Sequence, residues 1–402
     1  MNSCRCAPLS GAVAAGARGL APFASLRFDF LATRRWASLP TPNTPHIDPL
    51  SNSPRKLGFA IVGTGSIAAF HARGIAATPG TQLRAVHDQS ASRALAFAAE
   101  FGGEAVDDLG DLLKRPDVDA VCVTVPSGRH GEVTIRALEA GKHVLCEKPL
   151  EITTERIDLM AAAAKKAGRV LAAVFQNRLG AGAKHLKGAL DAGRFGRLAL
   201  CSAYVKWWRA PEYYSGSSWK GTRSLDGGGA LMNQAIHAVD LLQWLAGMPV
   251  RVGAQVRTQV HAIEMEDTAA AWLEFPTGAL GVIEAATSCY PGSRLKLEIS
   301  GERGTATLED DRIVRWDFAD VQPGDEAVGL GSRSSIGGGA SDPKAIGQEG
   351  HRLLIADFAD CVRTGRPPLV GPREARNAVA IIEAIYRSAR TGSAVAPGEQ
   401  GS

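Results

Sequence analysis

The 402-residue chain is short of the features that mark membrane, metal and polyanion-binding proteins. No uninterrupted apolar stretch reaches the roughly eighteen residues a membrane helix needs, which excludes an integral helical membrane protein. No C-x-x-C pair occurs among the seven cysteines (Cys4, Cys6, Cys122, Cys146, Cys201, Cys289, Cys361), so zinc and dithiol redox sites lack their signature. Their odd number and mostly apolar neighbours read as small buried hydrophobes in a reducing compartment. An excess of one charge is missing too. The 45 basic and 41 acidic side chains are interspersed, and the net +4 argues against a nucleic-acid partner.

Acids are almost absent from residues 1–39, which are rich in Ala, Gly and Arg (Arg5, Arg18, Arg27, Arg34, Arg35). Two readings stand: codon-biased filler ahead of a later start, or a transit segment with a processing site at Arg34-Arg35-Trp36-Ala37-Ser38. The first leaves the protein in the cytoplasm, the second sends it to the mitochondrial matrix. The apolar stretch is broken by Arg18 and Pro22, against a secretory signal. Pro40, Pro42, Pro45, Pro49 and Pro54 then make an extended linker without core-forming residues, so residues 1–56 read as leader and linker.

Folded structure is expected from Leu57. Leu57-Gly58-Phe59-Ala60-Ile61-Val62 is a continuous apolar run, as a strand buried on both faces requires. A helix through Ala77, strand Leu83–Asp88, helices Ser92–Phe101 and Leu109–Lys114, strand Ala120–Val125, helix His130–Ala140 and strand His143–Cys146 follow. Helix Thr153–Ala167 and strand Val170–Phe175 complete the series. Such alternation predicts right-handed βαβ units and a parallel doubly wound sheet over residues 57–176. Residues 177–395 read differently. Leu198–Trp208, Val250–Val260, Ala269–Phe275, Gly278–Ala286, Leu295–Ser300 and Gly304–Leu308 alternate like strands of an antiparallel sheet, with a hairpin turn at Gly301-Glu302-Arg303-Gly304. One long helix, Leu231–Leu245, precedes most of them. Residues 322–343 are Gly/Ser-rich and read as a loop, and Leu353–Arg363 and Glu374–Arg390 as helices free to pack on either domain. No internal repeat is visible.

Gly63-Thr64-Gly65-Ser66-Ile67-Ala68 is G-x-G-x-x-A, placed after the first strand and opening a helix. Its glycines allow a tight turn and close approach of backbone to a pyrophosphate, and the helix N-terminus offers free N–H groups. Asp88 ends the next strand, 25 residues after Gly63. Besides forming a strand-end turn, a carboxylate there accepts ribose hydroxyls and repels a 2′-phosphate, favouring NAD. Arg93 keeps NADP open, since a nearby guanidinium accommodates that phosphate.

Two stretches carry reactive groups. In Ala140-Gly141-Lys142-His143-Val144-Leu145-Cys146-Glu147-Lys148-Pro149 a lysine sits at the carboxyl end of a parallel strand, where ligands bind. Unless simply solvated, Lys148 is placed to hydrogen-bond a reacting oxygen, with a pKa lowered by desolvation and a cis prolyl bond after it aiming the turn. The second stretch is Asp226-Gly227-Gly228-Gly229 through Asn233, His237 and Asp240. Asn233 and His237, i and i+4, share a helix face. His237 is either a buried core histidine or the base that takes a proton from an alcohol, its ring oriented by Asp240.

Upstream, Lys206-Trp207-Trp208-Arg209, Tyr213-Tyr214 and Trp219-Lys220-Gly221 read as a packed aromatic corner or a sugar-binding wall. Aromatic faces suit sugar rings, and Arg209 or Lys220 suits a phosphate or carboxylate. Gln176-Asn177-Arg178 is a further cleft candidate. Metal catalysis lacks support, because His237 has no second ligand at a recognisable spacing.

The glycine loop, Pro126-Ser127-x-x-His130, Ala-Gly-Lys-His-Val running into Glu147-Lys148-Pro149, and the glycine-led Asn233…His237 helix together resemble the glucose-fructose oxidoreductase / inositol dehydrogenase / rhizopine catabolism (Gfo/Idh/MocA) family. The resemblance extends from Leu57 to the C-terminal helices. It implies an N-terminal Rossmann domain and a mostly antiparallel open-sheet domain whose outer face makes homo-oligomers, dimers or tetramers. It also implies Lys148 and His237 as catalytic groups with Asn233 beside them. The cofactor would lie on Gly63, Thr64, Gly65, Ser66, Ile67, Asp88, Arg93, Pro126, Ser127, His130, Glu147, Lys148 and Pro149. Asn177, Arg178, Trp208, Arg209, Tyr214, Trp219, Asn233 and His237 would face the substrate.

Many members carry Asp where this chain has Asn233, and an amide holds hydroxyls but relays no proton. The expected activity is NAD(P)-dependent hydride transfer at a secondary alcohol of a sugar, sugar acid, nucleotide-sugar or cyclitol. A non-catalytic metabolite-binding co-regulator and an NAD-dependent glycosidase are the alternatives on the same fold.

Overall fold

The computed structural model describes residues 55–328 and 347–398. The leader and most of the linker, Cys4 and Cys6, and most of the Gly/Ser-rich loop lie outside the described residues. Among the described cysteines all five are free thiols, and four are buried.

The first sheet is built from β1 (Leu57–Val62), α1 (Ala68–Ala77), β2 (Thr81–His87), α2 (Ala91–Phe101), β3 (Glu104–Ala105), α3 (Leu109–Lys114), β4 (Ala120–Val123), α4 (His130–Glu139), β5 (His143–Cys146), α5 (Thr154–Ala167) and β6 (Leu171–Ala173). Its order is β3-β2-β1-β4-β5-β6. Every pairing is parallel. Successive side chains of a strand point to opposite faces, and here helices cover both, so the strands are apolar throughout. Phe59 and Ile61 pack with α1 and with Leu354, Ile355 and Phe358, while Ala60 and Val62 join the core on the other face. Strand order reverses between β1 and β4, which opens a crevice at their carboxyl ends.

The chain continues through α6 (Ala181–Asp191), β7 (Leu198–Lys206), the short α7 (Glu212–Ser215), a π-helical turn at Ala230–Ala235, α8 (Ile236–Ala246), β8 (Arg251–Arg257), β9 (Thr268–Glu274), β10 (Leu280–Ala286), β11 (Lys296–Gly301), β12 (Gly304–Glu309) and β13 (Arg312–Phe318). The second sheet has order β13-β12-β11-β7-β10-β9-β8 and is antiparallel except for β7 beside β10. The strands β9 and β10 alternate buried with more exposed residues, as a sheet with one covered face requires. Gly301–Gly304 joins β11 to β12 as the expected hairpin. Strand β13, the two-residue β3 and helix α6 were not anticipated. Of β13 only Ile313 is buried, so its apolar signal is weak.

Helices α9 (Glu349–Thr364) and α10 (Pro372–Thr391) do not choose one domain. Helix α9 packs on α1, whereas α10 packs on α5, α8 and β8. They join the two sheets within one compact unit.

Candidate functional site

A cleft of about 850 Å³ opens at the carboxyl ends of the first sheet, and one long wall carries the glycine loop. Gly63 has φ +95°, and a Cβ there would lie 2.8 Å from the Thr124 carbonyl, so only glycine fits this turn. Gly65 is the opposite case: nothing lies within 4 Å of a Cβ built there, which leaves open space against the backbone. The α1 N-terminus beyond has no side-chain cap and no acid in its first turn. An open glycine face and uncapped amides fit a dinucleotide diphosphate.

Asp88 is buried at the end of β2. Its carboxylate accepts from the Thr64 amide and hydroxyl (both 2.8 Å), the Ser90 amide (2.9 Å) and Arg93 Nη2 (2.6 Å). Burial pushes its pKa up, but these bonds outweigh burial and hold it below the usual carboxylate range. The carboxylate charge is therefore kept, and Arg93 is bonded to it.

Pro126, Ser127, His130, Glu147 and Lys148 continue the lining, whereas Pro149 does not reach it. His130 is locked by two carbonyls, those of Pro149 (2.7 Å) and Val125 (2.9 Å). The Lys148–Pro149 bond is cis. Lys148 Nζ donates to the Asn233 carbonyl oxygen at 2.6 Å, tying the first sheet to the π turn before α8. Burial lowers its pKa, with Arg209 adding to that and Glu147 and Asp226 opposing. His237 lies edge-on to Phe175, and its buried Nδ1 has no hydrogen-bond partner. Burial, then Lys148, pushes its pKa down to about 3, so the imidazole is neutral. Asn233, His237 and Lys148 all face the cleft.

Asp240 does not orient His237. It is buried against Arg178, which donates to it through Nε (2.7 Å) and Nη2 (2.6 Å). That pair also removes Arg178 from the cleft, where Asn177 does reach the lining. A buried guanidinium needs a carboxylate, and the bidentate partner one helix away meets that need. The aromatic segment divides similarly. Trp207, Arg209, Tyr213, Trp219 and Lys220 line the cleft, while Trp208 packs on His261 and Tyr290, and Tyr214 bonds Thr287 (2.8 Å). Lys220 Nζ sits 3.6 Å from the centre of the Tyr213 ring, and burial lowers its pKa.

Glu266, His71 and His351 escaped the sequence reading, and Asp226 and Glu147, named there, take supporting roles it did not assign. Buried Glu266 accepts from Gly229 N (3.2 Å), Leu231 N (2.8 Å) and Tyr386 Oη (3.0 Å), fixing the start of the π turn. Its pKa is pushed up to about 7 by burial. Asp226, fully buried, accepts from Gly221 N (2.8 Å) and Asn233 Nδ2 (2.7 Å), and burial pushes its pKa up to about 6. Glu147 meets His71 Nε2 at 2.8 Å and His351 Nε2 at 3.5 Å. Burial pushes Glu147 up, but His351 and His71 hold it well below the usual range. The three ligand atoms lie within 4.8 Å of one another, a spacing a metal tolerates. Metal-bound imidazoles lean on a second hydrogen bond, however, and both Nδ1 atoms here are buried without one. The trio therefore reads as support beneath Lys148. Its members stand 76 and 204 positions apart from Glu147, so no local spacing could have shown them.

Residues 57–175 match an oxidoreductase family with an NAD-binding Rossmann fold, and residues 183–307 match the GFO/IDH/MocA C-terminal domain. The chain is 26% identical over 345 residues to scyllo-inositol 2-dehydrogenase (NAD(+)) of Bacillus subtilis (strain 168), covering 84% of this chain and 95% of that one. It is 32% identical over 266 residues to inositol 2-dehydrogenase of Gluconacetobacter diazotrophicus, covering 64% and 75%. Among solved structures, the WlbA dehydrogenase of Bordetella pertussis, in complex with NADH and UDP-GlcNAcA, superposes with a TM-score of 0.80. That likeness carries 34% identity and covers 87% of this chain and 100% of WlbA.

Proposed function

We propose, from the premise that this chain belongs to the Gfo/Idh/MocA oxidoreductase family, that its substrate is a sugar carrying an acidic group, a uronate or a nucleotide-linked sugar. The protein is an NAD-dependent oxidoreductase of sugar or cyclitol alcohols. The observation that carries the narrower reading is a group of cations at the reactive end of the cleft. Lys148, Arg209 and Lys220 line it together and bear electrostatically on one another. The carboxylates that oppose these cations are already engaged: Asp226 is fully buried, and Glu147, in the cleft lining, is held by histidines. A desolvated ammonium such as Lys220 is stabilised by an anion, and Tyr213 and Trp219 supply faces for a sugar ring.

Bound NAD supplies the hydride acceptor or donor. The chain supplies the proton chemistry. His237, neutral at working pH, takes the proton of the reacting hydroxyl, and Lys148 donates a hydrogen bond to the same oxygen as charge develops on it. Asn233 holds the substrate and anchors Lys148 through its carbonyl. In this reading residues 57–176 form the cofactor domain and 177–395 the substrate domain. The outer face of the second sheet makes a homo-oligomer, and the enzyme works in the cytoplasm without nucleic acid.

The test is an NAD-linked screen of uronates, nucleotide-sugars, neutral sugars and inositols. Turnover should be best on the acidic compounds. Lys148→Ala and His237→Ala, folded and still binding NAD, should each lower kcat by roughly 10²–10⁴-fold. Preference for neutral sugars or inositols overturns the substrate reading, and full turnover in both variants overturns the assignment of roles.

A further inference from the structure

Asn233 lines the cleft, and the hydrogen bonds around it run in one direction. Arg209 Nη2 donates to Gln234 Oε1 at 2.6 Å, Gln234 Nε2 donates to Asn233 Oδ1 at 2.7 Å, and Asn233 Nδ2 donates to Asp226 Oδ1 at 2.7 Å. Tyr213 Oη accepts from Gln234 Nε2 at 2.8 Å. A cation fixes one end and a carboxylate the other, so neither amide can flip without setting donor against donor. The remaining oxygen of Asp226 accepts the Gly221 amide at 2.8 Å, next to Lys220. One buried carboxylate thus sets both the Asn233 amide and the segment bearing Lys220.

We infer that Asp226 is a positioning and specificity residue, which withdraws the negative charge from position 233 into the protein and leaves the cleft open to an anionic sugar. Asn233 lines the cleft and Asp226, fully buried, does not. A carboxylate at 233 would face the substrate's acidic group. It would also lie against the Asp226 carboxylate, an arrangement that requires the pair to take up a proton. The amide at 233 and the acid at 226, seven positions upstream, are therefore one unit that holds the charge out of the cleft. The inference deepens the acidic-sugar reading and rests on it for the identity of the ligand.

The geometry makes an exchange experiment decisive. Asp226→Asn must point its NH₂ at either the Gly221 amide or the Asn233 amide, both donors. Asn233→Asp brings two carboxylates together. In the double exchange Asp226→Asn/Asn233→Asp, the oxygen of the new amide accepts from Gly221. Its NH₂ donates to the new carboxylate, which still accepts from Gln234. Every donor and acceptor is satisfied again, but the charge now lines the cleft.

Thermal melts of the four proteins without ligand, and calorimetric titration of each NADH-loaded protein with UDP-glucuronic acid and with UDP-glucose, read the two halves separately. Each single exchange should lower Tm by about 3 °C or more, and the double should recover most of that loss. In the double, the affinity for UDP-glucuronic acid relative to that for UDP-glucose should fall at least about ten-fold against the native chain. A double exchange as unstable as the two single losses combined overturns the directed network. Equal loss of both nucleotide-sugars, or of neither, overturns the specificity role. If the native chain binds neither probe, the nucleotide-linked acidic-sugar reading and the specificity role fall together, while the melts still decide the network.

Discussion

At the scale of single residues, the cofactor end of the cleft was legible because its chemistry is local. The Gly63 turn, the Asp88 carboxylate at a strand end and Lys148 at the next strand end but one follow from a glycine spacing and strand ends read in order. Asp88 keeps its charge through bonds from Thr64, Ser90 and Arg93. It follows that Asp88→Ser should remove the group that repels a 2′-phosphate and free Arg93 to meet one. NADP should gain on NAD by about ten-fold in kcat/KM, corresponding to ~1.4 kcal/mol, and parallel titration with the two cofactors checks it. An unchanged ratio would mean that Asp88 is only a turn former. The candidates that do not reach the cleft, Arg178, Trp208 and Tyr214, and Asp240, which does not orient His237, are all satisfied by partners 62 positions away or more, or by rings beyond the segment. A charged or aromatic side chain looks the same in sequence whether it faces a ligand or a buried partner.

At the scale of elements, the strands and helices of the first sheet were readable because continuous apolar runs alternate with amphipathic stretches. The reactive helix was not. Sequence periodicity predicts one α-helix through Leu231, whereas Ala230–Ala235 form a π turn before α8 begins. Such turns concentrate at functional sites, and this one carries Asn233. What holds it is Glu266, from the segment before β9, which no local pattern connects to it. Glu266→Ala strands the Gly229 and Leu231 amides and the Tyr386 hydroxyl, and should cost about 3 kcal/mol of stability in urea unfolding. The acid also imprints a pH dependence. Its folded pKa, about 7, exceeds the ordinary 4.5, so the native state takes up its proton first as pH falls. That contribution is fully present below about 4.5 and is lost as pH rises through 7. Glu266→Gln should flatten this slope between pH 5 and 8, and an unaltered slope would assign it to other groups.

At the scale of the whole molecule, composition and alternation disclosed two sheets but not what binds them. The C-terminal helices do that, α9 bringing His351 under Glu147 beside α1, and α10 lying on α5, α8 and β8. Among the described residues, the outer face of the second sheet has no such cover. Register places Leu280 beside Leu200 and Val282 beside Trp272, and Leu200, Leu280 and Trp272 are exposed by 56%, 53% and 44%. In the homo-oligomer proposed above this apolar patch is the expected contact, and a sheet face suits a second copy packed face to face by a two-fold axis. Glu274, Glu284 and Arg251 stand around it as a polar rim. Placing charge at its centre should therefore separate subunits without disturbing the core, because these side chains point away from the buried face. Trp272→Glu/Leu280→Glu should shift the native assembly toward monomer in light scattering while keeping the far-ultraviolet circular dichroism of the native chain. A native chain that is monomeric at high micromolar concentration would sink the interface. An unshifted mass in the variant would place the subunit contact on another surface, since two buried carboxylates without partners cost more than a dimer of ordinary affinity can absorb.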